Sequence, residues 1–274
     1  MTKSLRTIEA DLKLADVIVY VLDARAPKSC RNPVFDDMFA QKKIIYVLNK
    51  ADLSDEKLTR AWASTLSTAT STALITNGTA SGSASSITSA ARSLCAEKIE
   101  RLKARGVKAS IRAMVVGVPN CGKSTLINNL CGAGKTVTGN RPGVTRGKQW
   151  VRINDYFEVL DTPGTLYPKL DDQTAAYRLA FIGSIKDEVT EIFELSERLI
   201  SELGAIDKNI IPSRYKIEIE QDEELEHILE KIARSRGYVL RGGAYDTERA
   251  ANALIDDFRK GKLGKITLDG NPEL

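Results

Sequence analysis

Eight residues near the middle of the chain, Gly117-Val118-Pro119-Asn120-Cys121-Gly122-Lys123-Ser124, fit the pattern GxxxxGK[ST]. The run before them, Ala113-Met114-Val115-Val116, is short and apolar, as a buried parallel strand requires. The run after them, Thr125-Leu126-Ile127-Asn128-Asn129-Leu130, reads as a helix. Strand, glycine turn and helix in that order point to a parallel sheet covered by helices. In such a loop Gly117 and Gly122 let the backbone turn tightly, so that successive N–H groups face a phosphate. The N-terminus of the following helix adds a favourable dipole. Lys123 then reaches the β- and γ-phosphates, and the Ser124 hydroxyl can bind Mg²⁺. Pro119, Asn120, Cys121 and Thr125 complete the nucleotide-binding set.

The flanking sequence supports the same architecture. Val17–Leu22 and Ile44–Leu48 are further continuous apolar runs, and Ala73–Thr76 is a weaker one. Helical stretches fall near 32–40, 55–68 and 86–105. Two paired strands are expected at 148–153 and 156–161, joined at Asn154-Asp155. Strand–helix alternation predicts a doubly wound, mostly parallel sheet. After Pro168 the character changes, and 172–204, 222–235 and 246–261 read as amphipathic helices. The expected organisation is an α/β domain over 1–170 and a small all-α domain over 171–274.

Composition excludes several classes of function. Of 274 residues, 42% are hydrophobic and 28% charged, which suits a globular chain with a full core. No apolar run is long enough to cross a membrane, and the first residues lack the apolar core of a signal peptide. A cytoplasmic protein with no membrane partner is expected. The four cysteines have no CxxC spacing and read as reduced thiols. The single histidine, His227, lies in the acidic run Glu223-Glu224-Leu225-Glu226 and reads as a solvated helix residue. A zinc site and a Ser/His/Asp triad are therefore not expected.

Residues 1–170 hold 25 Lys and Arg against 14 Asp and Glu, a net +11. Residues 171–274 hold 15 against 22, a net −7. A basic half suggests a polyanionic partner such as RNA. Its densest stretch is Lys98, Arg101, Lys103, Arg105, Lys108 and Arg112. Arg234, Arg236, Arg241, Arg259, Lys260, Lys262 and Lys265 are further candidates for phosphate contacts.

Three more motifs complete a nucleotide site. Asp161-Thr162-Pro163-Gly164 ends the strand Phe157–Leu160, on the ligand side of an open sheet. Asp161 can hold a Mg²⁺-bound water, and the Gly164 N–H can meet a γ-phosphate. Between it and the phosphate loop lies Arg141-Pro142-Gly143-Val144-Thr145-Arg146-Gly147, a glycine-bearing loop of the kind a nucleotide-sensing switch needs. Thr145 is the candidate for a second Mg²⁺ ligand. Asn49-Lys50-Ala51-Asp52 follows the strand 44–48. Two acceptors on Asp52 suit the N1–H and N2–H₂ donors of guanine, whereas adenine would leave the carboxylate unpaired. Asn49 can bond the other base edge or tie its loop to the phosphate loop. The Lys50 stem can lie over the base. A third base contact is expected from Thr76, Asn77 or Gly78. An ATP-dependent kinase or transporter ATPase is disfavoured by Asn49-Lys50-Ala51-Asp52.

The motif order is base loop, phosphate loop, switch, DxPG. In an ordinary GTPase the phosphate loop comes first and NKxD last, so this is a circularly permuted P-loop GTPase domain. The chain resembles the circularly permuted GTPases that assemble ribosomes, most closely the ribosome biogenesis GTPase A (YlqF-like) family. The matching segments are Asp23-Ala24-Arg25-Ala26-Pro27, Ser29-Cys30-Arg31-Asn32-Pro33, Asn49–Asp52, the P-loop, Arg141–Thr145 and Asp161–Gly164. The resemblance implies a GTPase that binds GTP and GDP, docks on the maturing large ribosomal subunit and contacts its rRNA. It implies Mg²⁺ as cofactor, and catalytic roles for Lys123, Thr145, Gly164 and Asn120. In related GTPases an Asn at the Asn120 position accompanies K⁺ dependence, so K⁺ stimulation is expected. Members carry a catalytic histidine just before the segment matching Met1-Thr2-Lys3, and no glutamine follows Gly164. Either the start is truncated or the chain is a weak hydrolase, acting as a GTP-gated rRNA-binding placeholder.

Overall fold

The computed structural model describes residues 3–77, 82–133, 150–161, 172–185, 191–220 and 223–272. They form two compact units. The first spans Met1–Lys169 and takes back the chain's last residues, Asp269–Leu274; the second spans Leu170–Leu268.

The first unit is built on a six-stranded sheet of order β3-β2-β1-β4-β6-β5. Its strands are β1 (Val17–Asp23), β2 (Lys43–Asn49), β3 (Ser71–Ile75), β4 (Ile111–Val116), β5 (Trp150–Asn154) and β6 (Phe157–Asp161). All neighbouring pairs are parallel except β5 with β6, which form an antiparallel hairpin. Every residue of β1 is buried, which explains its unbroken apolar run. Parallel pairing brings the C-terminal ends of β2, β1, β4 and β6 to one edge. Asp23 is in register with Asn49, and Val115 with Asp161.

Helices α1 (Lys3–Leu12), α2 (Pro33–Phe39), α3 (Glu56–Thr65), α4 (Ser83–Leu94), α5 (Ala96–Ala104) and α6 (Lys123–Ala133) complete the unit. Asn32 caps α2 by accepting from Val34 N–H, with Pro33 at the first helical position. Asp55 caps α3 in the same way. The stretch expected as one helix over 86–105 is two, divided at Cys95. Lys43 Nζ donates to the Leu94 carbonyl there, an acceptor that a continuous helix would offer to residue 98.

An aromatic cluster fixes the connection from β1 to α2. Tyr20 stacks on Tyr46 and meets Phe35 and Phe39 edge-on. Its hydroxyl accepts from the Asn32 N–H at 2.7 Å. The chain's end secures the same connection. Asp269, 2% exposed, accepts from the Ser29 N–H at 2.9 Å and from the Ser29 hydroxyl at 2.8 Å. Trp62 Nε1 donates to the Gly270 carbonyl at 2.9 Å. The tail thus joins the loop after β1 to α3. Asp269→Ala is expected to lower the unfolding free energy by about 2 kcal/mol, because buried donors lose their acceptor. Urea unfolding checks this, and an unchanged midpoint with an unchanged slope would refute it.

The second unit holds α7 (Gln173–Phe181), α8 (Ile192–Ile206), α9 (Ile210–Tyr215), α10 (Leu225–Arg236) and α11 (Thr247–Arg259). The stretch 172–204 is not one helix: α7 stops after Phe181, and Gly183 there has φ +76. Leu179, Phe181, Leu195, Leu199, Leu203, Ile232, Leu254 and Phe258 form its core. Asp257 on α11 draws in Arg214 of α9, Arg236 of α10 and Lys262 at 2.8, 3.3 and 3.0 Å. Those cations hold its carboxyl below the ordinary value against the opposing effect of burial, the largest single influence on it.

Candidate nucleotide site

The turn from β4 into α6 has the geometry a phosphate cradle needs. Gly117 has φ +153 and Gly122 φ +102. A Cβ at Gly117 would stand 2.9 Å from Cys121 Sγ and still closer to the Val21 carbonyl. A Cβ at Gly122 would collide with Asn49 Nδ2. Both glycines are therefore demanded by close approach as well as by backbone angle. Lys123 is 7% exposed, and its Nζ donates across the loop to the Val118 carbonyl at 2.9 Å. Ser124 and Thr125 open α6 and are exposed. Cys121 is fully buried, and burial pushes its thiol up to about 11. An inert thiol at that position packs the loop rather than reacting.

Asn120 has φ +58, in the left-handed region that Asn tolerates better than most side chains. The backbone thus supplies a reason for Asn at this position beside the K⁺ role that the resemblance implies.

The base loop is bound to the phosphate loop. Asn49, at the end of β2, is 2% exposed and donates from Nδ2 to the Cys121 carbonyl at 2.8 Å. Its Oδ1 accepts from Thr76 Oγ1 at 3.4 Å. Of the two roles open to Asn49, this geometry is the tie. Lys50 has φ 58 and donates from Nζ to the Asn120 carbonyl at 2.8 Å. Ala51–Leu53 form a single 3₁₀ turn, and Ala51 N–H donates to the Thr76 carbonyl at 3.1 Å. Asp52 in that turn is exposed. Among the candidates for a third base contact, Thr76 is buried and engaged with Asn49, while Asn77 is half-buried. Gly78 lies outside the described residues.

So do Arg141–Gly147, Thr145 and Gly164. Asp161 closes β6 beside Val115, which puts its backbone at the same sheet edge; its side chain lies outside the described residues. His227 is exposed on α10, and the described residues include no cluster of three or more metal-ligating side chains. No described helix is long and apolar enough to cross a membrane.

Sequence reasoning assigns no role to one further residue at this edge. Asp23, fully buried at the end of β1, pairs with Arg25 at 2.8 Å and with Lys50 at 2.9 Å. Arg25 is itself 2% exposed. Burial opposes the charge on Asp23 most strongly, and the two cations outweigh it and hold the carboxyl below its ordinary value. A signal was present: a lone Asp ending an apolar run, with Arg two residues on.

Comparison with known proteins decides the family. Residues 112–240 match the 50S ribosome-binding GTPase family. Ribosome biogenesis GTPase A of Bacillus cereus is 36% identical over 270 residues, covering 98% of this chain and 91% of the relative. This chain belongs to the ribosome biogenesis GTPase A family. The Thermotoga maritima member is 31% identical, covering 97% of this chain and 90% of its own length. The structure of GNP-bound YlqF from T. maritima aligns over all of both chains with a TM-score of 0.68 and 28% identity. GDP-bound YlqF aligns equally well, at 29% identity. The match to the 50S ribosome-binding GTPases begins at β4 and leaves Asn49–Asp52 ahead of it. Asn49 and Lys50 nevertheless bond directly to the P-loop, at the Cys121 and Asn120 carbonyls. The chain is a GTP-binding protein and a GTPase.

Proposed function

We propose that this GTPase acts in assembly of the large ribosomal subunit, in the cytoplasm, with GTP lying along the edge formed by β2, β1, β4 and β6. The observation that carries this reading is the direct bonding of Asn49 and Lys50 to the P-loop carbonyls of Cys121 and Asn120. It joins the base reader directly to the phosphate cradle. The names of the relatives supply the ribosomal context.

Asp52 reads guanine. The P-loop N–H groups and Lys123 take the β- and γ-phosphates, and Gly164 meets the γ-phosphate. Mg²⁺ fits the exposed Ser124 hydroxyl at the head of α6, with Thr145 and Asp161 completing its ligand set. When bound, the metal neutralises charge developing on the transferred phosphoryl group. Asn120 would help hold K⁺, which would supply further positive charge there. Hydrolysis is slow until the ribosomal particle completes the site. The helical domain and the basic stretch 98–112 contact rRNA.

Ion pairing narrows the RNA candidates. Lys98 is taken by Asp16, Lys108 by Asp155 and Arg112 by Glu158. Arg101, Arg105, Arg234, Arg241 and Lys265 are exposed and enter no ion pair among the described residues. They stand first among the phosphate contacts. Binding through them weakens steeply as salt rises.

The test is GTP turnover in KCl and in NaCl, with and without purified large subunits. Faster turnover in KCl and a further rise with subunits are expected. Equal rates in the two salts would refute the K⁺ role. Binding of subunits without any rise in turnover would refute particle-triggered hydrolysis.

A further inference from the structure

The geometry points to Asp23 as the positioning residue for Lys50, holding the lysine stem as one wall of the purine site. The inference rests on reading Asn49–Asp52 as the base loop.

β1 lies between β2 and β4 in the sheet, so its last residue sits between the base loop and the phosphate loop. Asp23 occupies that place with no exposure. Its acceptors are filled from within the protein. Oδ1 takes the Arg25 backbone N–H at 3.1 Å and Arg25 Nε at 2.9 Å. Oδ2 takes a second Arg25 nitrogen at 2.8 Å and Lys50 Nζ at 2.9 Å. A carboxylate saturated in this way is built to hold cations rather than to meet a ligand.

One cation suffices to neutralise it, and Arg25 already does so with a fork of two bonds. Lys50 has another option. Its side chain is 26% exposed, and a lysine usually keeps its ammonium in water. Here the ammonium is drawn inward and shared between Asp23 and the Asn120 carbonyl. Lys50 also adopts a left-handed backbone, φ 58 and ψ 35, which is costly for a residue with a Cβ. Such a conformation persists where surrounding contacts over-determine it. Asp23 from β1 and Asn120 from the P-loop are those contacts. Together they fix a flexible four-carbon stem before the nucleotide arrives, which removes an ordering cost from binding.

The experiment measures GDP affinity and release, and the KM and kcat for GTP, in the full chain. The variants are Asp23→Asn, Lys50→Met and the two combined. Asp23→Asn is expected to release GDP about tenfold faster and to raise KM far more than it lowers kcat. Lys50→Met should give a loss of similar size. The double variant should be no worse than Lys50→Met alone, because both act through one contact. A general structural role for Asp23 would instead multiply the two losses. That result, or wild-type affinity in Asp23→Asn, overturns the inference. Should Asp23→Asn fail to fold for want of a partner to Arg25, Asp23→Asn with Arg25→Met removes both members of the buried pair. The same comparison with Lys50→Met is then made in that background. A wild-type chain that does not bind GDP would overturn the base-loop reading itself, whereas tight binding by wild type and Asp23→Asn alike sinks only the role of Asp23.

Discussion

Asp52→Asn should exchange guanine nucleotides for xanthine nucleotides. Guanine presents two adjacent donors, N1–H and N2–H₂, and a carboxylate presents two acceptors. An amide presents one acceptor and one donor. Xanthine keeps the N1–H donor and replaces the 2-amino group by a carbonyl acceptor, so it is complementary to Asn and not to Asp. With guanine, the amide would set two donors against each other in a desolvated pocket. Losing a charge-assisted bond and leaving a polar group unpaired together correspond to about a thousandfold in affinity. The fold should not notice. Asp52 is exposed in its 3₁₀ turn, and the turn is held by backbone bonds from Ala51 to Thr76 and from Leu53 to Lys50. Competition of GDP against XDP on the variant decides the matter. Undiminished GDP affinity would show that Asp52 does not read the base.

The parallel sheet was legible because buried strands leave a signal that depends on few residues: Val17–Leu22 of β1 and Ala113–Val116 of β4 are continuous apolar runs. The P-loop was legible because its glycines and lysine have one geometric use. What sequence did not show depends on partners distant in the chain. At the division between α4 and α5, Lys43 donates from its amine to the Leu94 carbonyl from 51 residues away. The return of the tail is set by Asp269 meeting Ser29 across 240 residues. Periodicity has no access to such contacts. Charge was only partly legible for the same reason. The basic stretch 98–112 counts as six cations in sequence, yet Lys98 is anchored to Asp16 and to the Ser110 carbonyl. Asp23 and Arg25 were visible as a family motif, but their burial against Lys50 follows from strand order, which places β1 between the two loops.

The two P-loop glycines should fail in different ways when a methyl group is added. Gly117 faces the main chain of β1: its Cβ would overlap the Val21 carbonyl and press on the buried Cys121 Sγ. Neither can withdraw, because Val21 pairs in the centre of the sheet and its residue is fully buried. Gly117→Ala is therefore a lesion of the fold, costing about 3–4 kcal/mol through overpacking and strain. Gly122 faces a side chain instead. Its Cβ would displace Asn49 Nδ2 from the Cys121 carbonyl, and φ +102 adds backbone strain. A side chain yields more readily than the main chain of the central strand, so Gly122→Ala should cost less stability than Gly117→Ala. It should also separate the base loop from the phosphate cradle. Losing that tie and the turn geometry together corresponds to about a hundredfold weaker GDP binding. Urea unfolding and GDP titration, run on both variants, give the contrast. A Gly122→Ala chain that binds GDP like the wild type would mean that the bond from Asn49 to the P-loop does not hold the two loops in their binding geometry.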